Sequence, residues 1–285
     1  MPFKAINGIN IYYEVHGQEG PKGTIVLLHH GFGCVKIWKT VCPMLAEQGY
    51  RIIMYDRRGY GRSAKGDDFM SFYVSDHFRS DSVEEMAWFL TALDADIVHV
   101  VGQCEGGVVG VDFAAAYPER VKSIVIASTQ CYSQTTMVDK NAEDFPKPFH
   151  EIDPLLQKKI TEWHGEYAET FYEQFRKFGG AYGTEFFDLR ERLASVICPA
   201  LVLYPDRSSI FDVEQAVEMY RNLSRGELAV LPACGHNTYE YKPEDYVRNV
   251  LEFLERHGSG NGEISAEQED VVGFSCLAVR KDSLS

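Results

Sequence analysis

Short apolar runs alternate with amphipathic stretches along the first half of the chain. Residues 24–30 (TIVLLHH), 51–56 (RIIMYD), 97–102 (IVHVVG) and 123–128 (SIVIAS) are strand-length and bounded by polar or glycine residues. Strands buried on both faces read this way. Residues 9–15 (INIYYEV) largely alternate sides, which predicts an antiparallel edge strand. Between the runs, Val83, Met86, Phe89, Leu90 and Leu93 recur at three- and four-residue spacing and predict a core-facing helix over 82–93. Ser80-Asp81-Ser82 supplies its N-cap, and Glu84 and Glu85 suit the positive end of the dipole. Residues 108–117 form a second apolar helix, closed by Pro118. This β-α-β-α order predicts a mostly parallel, doubly wound α/β sheet with ligands at the carboxyl ends of its strands.

The pattern changes at about residue 131. Aromatic-rich helical segments at 155–163 and 167–178 replace the strands, punctuated by Pro146, Pro148 and Gly179-Gly180. Strand patterns return at 200–204 (ALVLY) and 227–231 (ELAVL), and a helix over 246–257 follows. The expected organisation is a core in two parts, 1–130 and 196–257, with a helical lid at 131–195 over one end of the sheet. Residues 258–285, opened by GSGNG, read as a flexible tail.

Composition narrows the function. Lys and Arg number 28 and Asp and Glu 42, a formal charge of −14, which argues against a phosphate-backbone binder. A chain 45% hydrophobic and 25% charged has globular, not disordered, composition. No apolar run approaches the ~20 residues of a membrane-spanning helix. The start, MPFKAINGIN, lacks signal-peptide features, so a cytoplasmic protein is expected. The seven cysteines show no CxxC spacing, so neither a disulfide framework nor a zinc site is expected. No motif implies a cofactor, a metal or a membrane partner.

One cysteine stands apart. Gly102-Gln103-Cys104-Glu105-Gly106-Gly107 follows a predicted strand and opens a predicted helix. That is the context of the G-x-S-x-G nucleophile elbow, with Cys104 as nucleophile. A glycine-rich turn or phosphate loop could look similar, but the Lys-Ser/Thr of a P-loop is missing. His29-His30-Gly31-Phe32-Gly33 ends the 24–30 strand and can direct the Phe32 N–H toward the space faced by the Glu105 N–H. Two such donors make an oxyanion hole, and losing one typically costs ~3–4 kcal/mol of barrier stabilisation. Cys234-Gly235-His236 follows the last predicted strand, where His236 is placed to act as base. Cys104, Asp206 and His236 stand in the order nucleophile, acid, base.

With Asp56-Arg57-Arg58-Gly59-Tyr60-Gly61-Arg62-Ser63 after the 51–56 strand, these motifs make the chain resemble the α/β-hydrolase superfamily in its lid-bearing form, from about Phe3 to His257. The elbow also resembles that of dienelactone hydrolases, which use a cysteine nucleophile. The resemblance implies the α/β-hydrolase fold and a Cys-His-Asp triad. In the family the acid usually follows the seventh strand as G-x-x-D. Here that segment is Tyr204-Pro205-Asp206-Arg207-Ser208-Ser209, so Ser208 occupies the acid's place and Asp206 lies two positions earlier. Asp206 is the candidate orienter of His236. A thiol of pKa ~8.5, ionised beside a protonated His and a helix N-terminus, tolerates a weaker third partner than serine does.

Glu105 either points away at the helix N-terminus, or pairs with His236 or a substrate group. His30, Trp38, Phe32 and Trp163 are the expected pocket walls, suiting a small, moderately apolar substrate. The expected activity is hydrolysis of an ester, thioester or lactone through an acyl-cysteine. Acyl transfer, lyase or cyclase chemistry and non-catalytic ligand binding stay open.

Overall fold

The structure is a computed structural model and describes residues 2–17 and 20–258. Eight strands form one sheet: β1 (Phe3–Ile6), β2 (Ile9–His16), β3 (Thr24–Leu28), β4 (Arg51–Tyr55), β5 (Val98–Gln103), β6 (Val121–Ala127), β7 (Ala200–Pro205) and β8 (Gly226–Leu231). Their spatial order is β1-β2-β4-β3-β5-β6-β7-β8. β1 and β2 pair antiparallel, β2 pairs antiparallel with β4, and β3 to β8 run parallel. The outer edge is therefore β1, and the 9–15 segment lies one strand inside it. β5 and β7 are buried along their whole length, as short, mostly apolar runs require, whereas β8 at the opposite edge exposes alternate residues.

The two-residue period of the strands divides the core. Val26, Leu28, Ile53, Val100 and Ile124 face one side with the helices Phe78–Thr91 and Glu105–Ala116. Ile25, Leu27, Ile52, Val101 and Val125 face the other with Val41–Ala46 and Pro243–Gly258. Each fully buried aliphatic side chain contributes roughly 1.5–3 kcal/mol. The helix Phe78–Thr91 begins four residues before the expected start, with His77 as an N-cap lacking a side-chain bond. Ser80 and Ser82 donate instead to the carbonyls of His77 and Phe78 inside the first turns.

Between β6 and β7 lie the helices Met137–Asp144, Pro154–His164 and Ala168–Phe178, and a short one, Arg190–Ala194, before β7. The first was not legible as a helix; Thr136 caps it by accepting the Asp139 N–H. Asp153 caps the second, with Pro154 at its first position. Phe149, Ile160, Phe171 and Tyr172 give this insertion its own apolar cluster. His164 fastens it to the core. Its Nδ1 accepts the Gly61 N–H at 3.0 Å, so its Nε2 carries the proton and donates to the Phe32 carbonyl at 2.9 Å. Phe171 stacks on its ring at 3.9 Å. The tail expected from residue 258 onward lies outside the described residues from 259. Among the described residues, no helix is long and apolar enough to cross a membrane.

Candidate active site

Cys104 sits between β5 and the helix Glu105–Ala116 at φ +53° and ψ −117°. A non-glycine residue held there costs ~1–3 kcal/mol and persists only where its surroundings over-determine it. The Cys104 N–H donates to the Ala127 carbonyl at 2.7 Å. Its own carbonyl accepts from the Gly107 N–H at 2.8 Å and the Thr129 hydroxyl at 3.0 Å. A Cβ on Gly106 would lie 2.2 Å from the Leu28 carbonyl oxygen, so glycine is what lets the helix close on β3. The sulfur lies 3.5 Å from the Tyr182 hydroxyl. Burial pushes its thiol up to about 11, against the pull of the Tyr182 bond and of the Glu105 and Gly31 N–H groups. The resting thiol is thus protonated at neutral pH, unlike the ionised form expected from the helix N-terminus.

His236 lies on the loop after β8. Its backbone carbonyl accepts from the Gln103 amide at 3.0 Å, and Gln103 Oε1 accepts from the Thr238 hydroxyl at 3.2 Å. Gln103, fully buried at the elbow, thereby ties the base loop to the nucleophile strand. Sequence reasoning missed this role; an amide ending an otherwise apolar run was its one signal. Desolvation lowers the imidazole to about 4.

The partner of His236 Nδ1 is Ser208 Oγ at 3.2 Å. Asp206, the expected orienter, does not take this place. It is exposed, its Oδ1 accepts the Cys234 N–H at 3.0 Å, and it is held below the usual carboxylate range by the Cys234 and Ala233 N–H groups. Ser208 Oγ also accepts from the N–H groups of Ile210 at 3.2 Å and Phe211 at 3.1 Å. With both lone pairs engaged, the hydroxyl hydrogen is left for Nδ1, which favours the imidazole tautomer with its proton on Nε2.

The loop after β3 also differs from expectation. The Phe32 N–H donates to His30 Nδ1 at 3.2 Å, and His30 Nε2 then donates to the Tyr239 hydroxyl at 3.0 Å. Burial pushes His30 down to about 3, so it stays neutral. It is the Gly31 N–H, with that of Glu105, that acts on the thiol. The Glu105 side chain is wholly buried and neither points away nor reaches His236. Its carboxylate accepts from Arg57 at 2.6 Å, from the Ala181 N–H at 2.6 Å and from the Tyr60 hydroxyl at 3.1 Å. Asp56, from the same motif as Arg57, accepts the Val35 N–H at 2.7 Å and the Arg62 N–H at 2.8 Å, which folds that loop.

A cavity of about 370 Å³ opens above Cys104 and His236. His30, Phe32 and Trp163 line it as expected, joined by Phe145, Phe175, Tyr182, Ile210 and Phe211. Trp38 does not. It is fully buried in the core against Tyr239 and Tyr246, because its 3-10 turn aims it beneath the loop. Among the described residues, no group of three or more His, Cys, Asp or Glu side chains could hold a metal ion.

A mostly parallel eight-stranded sheet with a strained cysteine at the turn between its fifth strand and a helix, and a histidine after its last strand, is the α/β-hydrolase fold. Residues 23–156 match the sequence family described as alpha/beta hydrolase fold. The chain is 26% identical over 268 residues to RutD of Variovorax paradoxus (strain S110), named for carbamate hydrolysis, covering 86% of this chain and 96% of that one. It is 25% identical over 298 residues to the proline iminopeptidase of Lactobacillus helveticus (strain DPC 4571), covering 90% and 97%. The enol-lactonase from Burkholderia xenovorans LB400 superposes with a TM-score of 0.71 at 19% identity, covering 89% of this chain and all (100%) of that one.

Proposed function

We propose that the protein is a hydrolase that cleaves an ester, thioester or lactone through an acyl-cysteine on Cys104. The observation that carries this reading is Cys104 held at positive φ on the floor of a cavity that His236 also lines. The names of the relatives, hydrolase, iminopeptidase and lactonase, support bond cleavage and leave the bond class to the pocket. Mostly apolar walls suit a moderately apolar acyl group, and the helical insertion that supplies Phe145, Trp163 and Phe175 acts as a lid.

In this mechanism Sγ attacks the substrate carbonyl carbon while His236 Nε2 takes the thiol proton. Because thiol and imidazole are both neutral at rest, proton transfer accompanies attack. The Gly31 and Glu105 N–H groups receive the oxyanion. His236 then passes the proton to the leaving group, and water, deprotonated by His236, releases the acyl group. For Nε2 to take the thiol proton the imidazole first moves its own proton to Nδ1, where it donates to Ser208 Oγ in place of one of the two backbone N–H groups.

Replacing Cys104 by Ala tests the assignment: turnover of p-nitrophenyl esters and acyl thioesters should fall to background, and wild-type turnover would overturn it. A hydroxyl in the orienting position, where the family carries a carboxylate, also favours a second reading in which the site binds its ligand with little or no turnover. Single-turnover kinetics separate the two, since a binder releases no product.

A further inference from the structure

The insertion ends directly over the nucleophile. The helix Ala168–Phe178 stops at Gly179, and a 3-10 turn, Gly180–Tyr182, carries the chain back toward the core. This turn is clamped from below. The Ala181 N–H donates to Glu105 Oε1 at 2.6 Å, while Arg57 holds Oε2 at 2.6 Å. A Cβ on Gly180 would lie 2.1 Å from Glu105 Oε1, so the clamp requires glycine there. The residue after Ala181 is Tyr182, 7% exposed, with its hydroxyl 3.5 Å from Cys104 Sγ. Two contacts to Glu105 thus hold the turn that sets one phenol on the sulfur.

We propose that Tyr182 is a catalytic residue of the reaction assigned above: its O–H donates a hydrogen bond to Cys104 Sγ and holds the sulfur's negative charge as it forms and again as it departs. Glu105 and Arg57 are its positioning residues. The inference rests on the acyl-cysteine reading. The direction of the bond follows from chemistry, since a thiolate only accepts. The Gln130 N–H acts on the same phenolic oxygen, and once the sulfur has lost its proton the Tyr182 hydrogen is the one left to bridge the two atoms. During acylation the S–H proton goes to His236 and on to the leaving group. During deacylation water gives its proton to His236 and its oxygen to the acyl carbon. The C–S bond breaks with its electron pair on Sγ, and His236 returns the proton. Tyr182 keeps its proton throughout, so it supplies charge stabilisation at a site where, among the described residues, a serine hydroxyl and not a carboxylate bonds the imidazole.

Tyr182→Phe is the test, because Phe keeps the ring packed against Phe187 and Phe211. Among the described residues, Tyr182 and Glu105 act on the sulfur, Tyr204 and Tyr239 lie further off, and His30, Asp144, Lys159, Arg207, His236 and Tyr241 line the same cavity; only Tyr182 changes. The pH midpoint of Cys104 alkylation by iodoacetamide should rise by about one to two units, with kcat on a thioester falling at least ~10-fold. An unchanged midpoint overturns the proposal whatever happens to kcat. Alkylation does not depend on turnover, so the result is distinct from failure of the acyl-cysteine reading, which persisting activity in Cys104→Ala would reveal.

Discussion

Placing a carboxylate where Ser208 stands should convert His236 from a weakly basic imidazole into an effective base. Ser208 Oγ lies 3.2 Å from Nδ1 and also receives two backbone N–H groups, an arrangement that Asp, with two oxygens, can accept in full. A unit negative charge about 4 Å from the imidazolium, at an effective dielectric of about 20, favours the protonated ring by about 4 kcal/mol. At 1.36 kcal/mol per unit this is about 3 pKa units. His236, lowered by burial to about 4, should therefore titrate near 7 in Ser208→Asp. The carboxylate also fixes the proton on Nδ1 and frees Nε2. NMR titration of the imidazole gives the shift directly, and the pH profile of kcat/KM gives its consequence. A base works when neutral, so the acid limb should move up from near 4 to near 7, with a plateau above it at least ~10-fold higher than wild type. A His236 that still titrates near 4, with an unchanged plateau, would refute the claim that Ser208 occupies the orienting position.

Asp206→Ala should remove an exposed acceptor for the Cys234 and Ala233 N–H groups, with a small loss in chemical denaturation and kcat within about twofold; a tenfold fall in kcat would return Asp206 to the chemistry. With the Cys104 thiol pushed up to about 11, its thiolate fraction at pH 7 should be at least ~100-fold below that of a free cysteine. Iodoacetamide alkylation should accordingly keep accelerating through neutral pH, and a plateau below pH ~8 would contradict the neutral resting pair. Arg57→Ala leaves the Glu105 carboxylate buried without its counterion and should cost ~3–5 kcal/mol in urea unfolding; a loss under ~1 kcal/mol would mean that the pair is not needed.

The sheet was legible because strands buried on both faces leave short, mostly apolar runs, as in β3, β5 and β7. β1 was not, because a four-residue edge strand buries only Ile6 fully and leaves no periodic trace. The start of the helix Phe78–Thr91 misled because serine hydroxyls that cap a helix end also bond carbonyls within it. At the site, the elbow could be read from local spacing: glycines, a strand before and a helix after. What could not be read depends on how loops travel. Asp206 and Ser208 are two residues apart, and only the path after β7 decides which faces His236. The Glu105 clamp joins residues 48 and 76 positions away, so no window of sequence holds it. Trp38 was misplaced for the same reason, since the turn that carries it points into the core.

The most direct measurement of the central claim is intact-mass spectrometry of the enzyme quenched during turnover of an activated ester, followed by peptide mapping. One acyl group should accumulate on Cys104 and then clear, with no adduct in Cys104→Ala. Product release with no adduct at Cys104, or an acyl group mapped to another residue, would contradict it.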